Sequence, residues 1–83
     1  MSCTVEERRR VKRAARDIRD IAPTHAVEVI EPAESRFDCW TLDAVLRHRD
    51  STPPEVLREL ALAGLDLHQC PPKNGHALVV ATA

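Results

Sequence analysis

The histidines and cysteines around residue 70 are the side chains of this sequence best suited to bind a metal ion. His68 and Cys70 lie two residues apart on one face of a predicted strand, and a turn then returns the chain so that His76 approaches Cys70. Imidazole nitrogen and thiolate sulfur are the usual ligands of tetrahedral zinc. Candidates for further ligands are His25, His48 and Cys39. The sequence contains no Cys-x-x-Cys or His-x-x-x-His pair, so polar strand residues and a small buried thiol are the simpler interpretation, and we predict no cofactor.

A cluster of cations near residue 12 could bind the phosphates of a nucleic acid. It consists of Arg8, Arg9, Arg10, Lys12, Arg13, Arg16 and Arg19. Such contacts give an affinity that depends on salt and not on base sequence. No aromatic side chain is interleaved with these cations to stack on bases, which argues against a single-strand binder. The competing interpretation is a solvated helix face, partly paired within itself through Arg13–Asp17 and Arg16–Asp20 at i,i+4.

Residues that could perform catalysis are few. Asp38 and Asp43 flank Trp40 and could form a carboxylate pair, but neither has a partner base or nucleophile nearby in the sequence. Cys70 precedes a proline and has no neighbouring charge that would activate its thiol. The two glycines form neither a phosphate-binding loop nor a nucleophile elbow. We therefore predict that the protein is not an enzyme and has no small-molecule substrate.

The cation cluster must be positioned by a helix that begins after Thr4. Thr4 is suited to cap this helix, Glu7 stands at the capping-box position, and Pro23 ends the segment. The apolar positions recur at helical spacing and are Val11, Ala14, Ala15, Ile18 and Ile21. The sequence therefore predicts an amphipathic helix with one narrow apolar stripe and a basic remainder.

A second helix and a hairpin are predicted between Thr52 and Ala81. Thr52 is placed to cap a helix from Pro53 to Ala63, and Gly64 is suited to end it in the left-handed conformation. The predicted inward positions are Val56, Leu57, Leu60, Ala61 and Gly64, and the predicted outward ones are Glu55, Arg58 and Glu59.

The hairpin follows directly. Residues 65–70 alternate with period two, as in a half-buried strand, and Asn74-Gly75 supplies the positive φ angles of a tight turn. Residues 77–81 are apolar on both faces, which predicts a strand inside the sheet and not at its edge.

The segment from residue 37 to residue 49 decides between two folds. His25 to Ile30 is a predicted strand. With period two, Trp40, Leu42, Ala44 and Leu46 share a face, and the element order is α-β-β-α-β-β, an α+β fold with a four-stranded antiparallel sheet and two helices on one face. With period 3.6 the segment is a short helix, and the order α-β-α-α-β-β is that of a winged helix-turn-helix. We favour the strand, because the strand before it needs a hydrogen-bonded partner along its length.

The composition predicts one small domain. The 83 residues, 1–83, leave room for one core, and residues 1–3 are predicted to be disordered. A chain of this length buries about 60–65% of its unfolded surface, so dimerisation would be an accessible way to bury more. The odd number of cysteines argues against a disulfide framework. The charges at residues 6 and 7 argue against a secretory leader. The apolar runs are too short to span a bilayer, so we predict a cytoplasmic protein with no membrane partner.

The net charge of −1 conceals an asymmetry. Residues 1–23 carry seven basic and four acidic side chains, which is +3. Residues 24–83 carry five basic and nine acidic side chains, which is −4, and +3 with −4 returns −1.

Three segments carry a resemblance to known sequences. The segments SRFDCWTLDAVLR, PPEVLRELALAGLDL and GHALVVAT resemble small haloarchaeal proteins that have no assigned activity. The resemblance covers roughly residues 8–82 and includes no motif of known chemistry. Haloarchaeal proteins are usually far more acidic than a net charge of −1, and the chain departs from the group in this respect. The resemblance therefore implies no catalytic or binding residue.

Together these features predict a small protein-interaction or regulatory module, with another protein or a second copy of itself, in a homodimer, as the partner. The alternative is a winged-helix nucleic-acid-binding regulator that uses the basic helix. In that alternative the recognition helix would present Arg58 between Glu55 and Glu59, and the wing would offer only Lys73, which is a poor surface for DNA.

Overall fold

Two helices and four strands follow one another in the order α-β-β-α-β-β in the computed structural model, which describes residues 4–22, 24–47, 51–68 and 70–83. The elements are α1 (Val5–Ile21), β1 (Thr24–Ile30), β2 (Thr41–Leu46), α2 (Pro54–Leu62), β3 (Asp66–His68) and β4 (Ala77–Thr82). The α+β prediction is confirmed. The disorder predicted for residues 1–3 and the proposed role of His48 fall outside the described residues.

The four strands form one antiparallel sheet in the order β1-β2-β4-β3. β2 pairs with β1 on one side, with Val29 opposite Leu42, and with β4 on the other, with Leu42 opposite Ala81. β4 therefore lies inside the sheet, as its two apolar faces predict, and β1 and β3 are the edge strands.

Both helices cover the same face of the sheet. The buried side chains of α1 are Val11, Ala14, Ala15 and Ile18, those of α2 are Val56 and Leu60, and those of the strands beneath are Leu42, Ala44, Leu46, Ala77, Val79 and Ala81. These residues form one continuous core. The core is built almost wholly from aliphatic side chains, as the scarcity of aromatic residues requires.

The segment that sequence periodicity leaves ambiguous is strand β2. Leu42, Ala44 and Leu46 are all fully buried on the helix-covered face, which is the period-two pattern. β1 supplies the backbone partner that a strand in this position requires. The winged-helix alternative is wrong, because it needs a helix where β2 lies.

α1 begins as predicted. The Thr4 hydroxyl accepts a hydrogen bond from the Glu7 backbone N–H at 3.1 Å, and this bond satisfies one of the unpaired donors of the first turn. At the other end the prediction fails for Ile21, which is 39% exposed. Ile21 is the last helical residue.

α2 differs from its prediction in two ways. Thr52 is not the cap: the N-cap residue is Pro53, which is extended at φ −62° and ψ 145°, and none of the side chains that the structure describes caps the helix. Pro54 explains this shift, because a residue before proline is forced out of the helical region. Leu57 and Ala61 are exposed and not inward, because Val56 and Leu60 alone align with the sheet.

The turns of the second half are those that the sequence predicts. Asn74 and Gly75 have φ angles of 53° and 79°, and Lys73 and His76 exchange two backbone hydrogen bonds around them, at 2.8 Å and 2.9 Å. This is a two-residue hairpin turn with a positive φ at both central positions. Gly64 ends α2 at φ +73°.

Candidate functional site

The face of the sheet that the helices do not cover is the larger candidate surface, and we call it the outer face. Strand alternation and the pairing register place nine side chains of its three longer strands there: Ala26, Glu28, Ile30, Thr41, Asp43, Val45, Leu78, Val80 and Thr82. Ile30, Val45 and Leu78 are half-buried, and Val80 is 5% exposed. No helix or second sheet from the described ranges of the chain lies over this face.

The loop between β1 and β2 folds over one end of the outer face and is held by a chain of hydrogen bonds. The Thr41 hydroxyl donates to the Cys39 carbonyl oxygen at 2.9 Å, so the Ser35 hydroxyl donates to Thr41 Oγ1 at 2.6 Å. Ser35 Oγ in turn accepts the Phe37 backbone N–H at 3.1 Å. Consecutive bonds of this kind polarise and strengthen one another, so the loop is a fixed wall of the surface.

Aromatic stacking extends this wall to the far edge of the sheet. The Phe37 ring stacks on the His68 ring with centroids 4.3 Å apart and planes at 27°. The Arg36 guanidinium lies 5.1 Å from the Phe37 centroid on the same ring. His68 Nε2 is 3.0 Å from Thr82 Oγ1, within hydrogen-bond distance. Below the wall lies a hollow of about 310 Å³ with Val80 and Leu78 in its lining.

Two carboxylates face each other across the middle strands of the outer face. Glu28 on β1 is directly opposite Asp43 on β2. Burial, followed by the charge of Glu28, raises the pKa of Asp43, while Lys73 and Arg36 lower it by less. Asp43 Oδ1 is buried and accepts no hydrogen bond from the described residues. Sequence analysis missed this pair, although aligning the two predicted strands in antiparallel register would have revealed it.

The structure distributes the seven predicted phosphate-binding cations around α1. Arg10 turns toward α2, where its Nη1 donates to the Gly64 carbonyl oxygen at 3.4 Å. Arg19 Nη2 donates to the Val27 carbonyl oxygen at 3.2 Å. The Arg8 guanidinium lies 5.8 Å from the Trp40 ring centroid, within cation–π range. The remaining four, Arg9, Lys12, Arg13 and Arg16, are exposed.

One flank of α1 is purely cationic. Arg8, Lys12 and Arg16 follow at spacings of four residues, with Arg19 three residues further on, so they form a row along the helix. The ion pair that α1 forms along its length is Arg16–Asp17 at 3.8 Å, in place of the predicted i,i+4 pairs Arg13–Asp17 and Arg16–Asp20. We call this row the cationic flank, and it lies on the side of α1 that faces strand β1.

The predicted metal ligands do not form a metal site among the described residues. No group of three or more His, Cys, Asp or Glu side chains that could hold a metal ion occurs within the part of the chain that the structure describes. The His68 ring is engaged with Phe37 and Thr82, and the backbone of His76 pairs with that of Lys73 at the hairpin turn. The site predicted from His68, Cys70 and His76 is therefore not assembled among these residues.

The residues singled out for catalysis do not form a constellation either. Asp43 stands opposite Glu28 and beside Val80 across the strands, whereas Asp38 lies on the loop at φ 56°. The fold instead forms two surfaces that could bind a partner. One is the outer face, with its apolar side chains and the buried oxygen of Asp43, and the other is the cationic flank of α1.

Comparison with known proteins does not assign a function to these surfaces. No protein-family model matches the chain, and neither the search of curated proteins nor that of solved structures found a match. Within the described ranges, neither helix combines the length and the apolar character needed to cross a membrane.

Proposed function

We propose that the protein is a non-enzymatic protein-interaction module that forms a homodimer through its outer face. The observation that carries the proposal is the row of apolar side chains on the uncovered face of β2 and β4. Val45 and Leu78 are half-buried there without a covering layer from the described chain. Covering these side chains would contribute about 25 cal/mol for each Å² of apolar surface removed from water. A second copy is an accessible source of that cover for a core of this size.

The charges on the outer face support self-association. A two-fold contact uses the same patch on both copies, so the patch must complement itself. The outer face and its rim carry both signs, with the carboxylates Glu28 and Asp43 and the cations Arg36 and Lys73. A two-fold axis through the face allows each cation to approach the carboxylates of the other copy.

Sedimentation velocity tests the proposal. The wild-type protein should sediment faster as its concentration rises from micromolar to near-millimolar, and Leu78→Lys should remain a monomer because it places a charge at the centre of the contact. Leu62→Lys is the matched control, since Leu62 is 70% exposed on α2 and away from the outer face. Thermal melting of each variant checks that it is folded. A wild-type protein that stays monomeric at all concentrations would overturn the proposal. If Leu78→Lys still dimerises, the dimer contact does not lie on the outer face.

A second function, binding to nucleic acid without sequence preference, is favoured by the cationic flank. Its four cations follow α1 in a row, and only Arg16 has a carboxylate partner within 4.0 Å on the helix itself. Each phosphate contact contributes about −0.9 to the slope of log affinity against log salt concentration.

A gel-shift titration of duplex DNA at low and moderate salt tests this function. Arg16→Glu should weaken binding and reduce the salt slope by about one. Arg58→Glu, an equal change of charge on α2, should affect both much less. The absence of any shift at low salt would remove the nucleic-acid function.

A further inference from the structure

β1 is an edge strand whose free side is only partly occupied. Among the strands of the described residues, β1 has β2 as its one neighbour. Arg19 reaches the Val27 carbonyl oxygen, so this carbonyl points away from β2. In an antiparallel pair the N–H and C=O of one residue point to the same side, and the side alternates along the strand. Val27 and Val29 therefore present their backbone groups to the free edge, and Glu28 presents its own to β2.

The free edge lies at the bottom of a groove whose two walls carry opposite charges. The groove has a volume of about 540 Å³ and passes Val29, Ile30 and Trp40. Arg8 and Lys12 of the cationic flank line it on the helix side. The carboxylates that line it are Glu28, Glu31 and Glu34. Glu28 belongs to the outer face, whereas Arg8 and Lys12 belong to a helix on the opposite face. At β1 the plane of the sheet therefore separates the negative charge from the positive charges.

We propose that this edge binds an extended segment of another protein in which acidic and basic side chains alternate. A strand added to β1 would take hydrogen bonds from Val27 and Val29, which is the peptide-binding mode of β-augmentation. Its side chains alternate between the two faces of the sheet. Those on the helix side meet the cationic flank and must be acidic, and those on the other side meet Glu28 and must be basic. Arg19 then exchanges the Val27 carbonyl for an acidic side chain of the ligand.

The same charges exclude two other occupants. Pairing of β1 with β1 of a second copy would bring the cationic flank of one copy against that of the other and Glu28 close to Glu28, and like charges on neighbouring strands destabilise a strand pair. A nucleic acid inside the groove would place phosphates beside Glu28 and Glu31, so the nucleic acid of the second proposed function would contact the cationic flank from outside the groove. This peptide site is separate from the proposed dimer contact, because it lies on the strand edge and not on the outer face.

Fluorescence anisotropy with a labelled, end-capped peptide of alternating Glu and Lys tests the proposal. A peptide of the same composition with the Glu and Lys residues in separate blocks is its control. The alternating peptide should bind about tenfold more tightly, because several cross-strand ion pairs of a few tenths of a kcal/mol each are lost together in the block peptide. Equal affinity of the two peptides would overturn the proposal.

N-methylation of the peptide tests the backbone contact. Only every second peptide N–H can face β1, so methylating one set of amides, those of Glu or those of Lys, should abolish binding and methylating the other set should leave it. In antiparallel pairing the sensitive set belongs to the Glu residues, since residues directly opposite share a face. Binding that tolerates both sets of methyl groups would overturn strand addition.

Protein variants locate the site. Lys12→Glu should weaken the alternating peptide at least fivefold, whereas Arg13→Glu, the same charge change outside the cationic flank, should weaken it less than twofold. Equal losses would reduce the interaction to general charge attraction and overturn the proposal. Leu78→Lys should keep full peptide affinity, so failure of the dimer and failure of the peptide site give different results.

Discussion

Replacing Asp43 by Asn is expected to stabilise the protein at neutral pH. Asp43 is opposite Glu28, and its buried oxygen accepts no hydrogen bond from the described residues. Like charges directly opposite each other in a strand pair cost about 0.2–1 kcal/mol. Asp43 is partly exposed, and solvent screening holds the gain at the low end of this range. For a domain of this size, 1 kcal/mol corresponds to roughly 4–8 °C in the melting temperature, so an increase of about 1–3 °C is expected.

The pH dependence separates this explanation from a simple packing effect. Burial and then Glu28 raise the pKa of Asp43, so the folded protein retains this proton at a pH where the unfolded chain has released it. The carboxyl therefore contributes stability that is fully present below its unfolded-state pKa and is lost as the pH rises through its folded-state pKa. Asp43→Asn should exceed the wild type in stability at about pH 7 and match it at about pH 3, where both carry a neutral group.

Urea unfolding of Asp43→Asn, Glu28→Gln and the double variant completes the test. The two single changes remove the same repulsion, so the gain of the double variant should be smaller than the sum of the single gains. Measurements at low protein concentration keep dimerisation out of the comparison. A destabilised Asp43→Asn at neutral pH, or fully additive effects, would refute the reasoning, because either result means that the two carboxylates do not oppose each other in the folded state.

Three further predictions concern stability. Leu42→Ala should cost about 2–5 kcal/mol in urea unfolding, because Leu42 is fully buried, whereas Leu62→Ala on the surface should change the free energy of unfolding by less than about 0.5 kcal/mol. Thr4→Ala should cost about 1 kcal/mol and lower helicity by circular dichroism, since it removes the bond to the Glu7 N–H. Gly75→Ala should cost about 1–2 kcal/mol through its φ of +79° alone, because a Cβ there would meet no atom within 4 Å; an unchanged melting temperature would contradict this.

The sequence predicted the elements where local chemistry and periodicity agree. Thr4 and the Asn74-Gly75 turn act through residues three or fewer positions away, so they are visible without the fold. The apolar run of β4 likewise indicated, from its own residues alone, a strand with a neighbour on each side. Predicting β2 as a strand needed one non-local argument, namely that the strand before it requires a hydrogen-bonded partner along its length.

The failed predictions have local and non-local causes. The Thr52 cap fails for a local reason, because Pro54 forces Pro53 to be extended. The exposure of Leu57 depends on how α2 is rotated about its axis against the sheet. The spacing of the apolar residues does not determine this rotation closely enough to tell whether Leu57 is buried beside Val56 and Leu60. Two features of the candidate sites were not predicted: the Glu28–Asp43 pair requires the two predicted strands to be aligned in register, and the groove beside β1 depends on where α1 lies.

The position of β4 between β2 and β3 determines how the molecule can come together. β2 and β3 have no direct contact as strands, and each gains this neighbour only when residues 77–82 arrive. β4 thus joins, in the middle of the sheet, two strands that are far apart in sequence. A premature stop before residue 77 would separate β3 from the β1–β2 pair, whereas loss of an edge strand would only narrow the sheet. We therefore expect the complete sheet to form only after residues 77–82 have been synthesised.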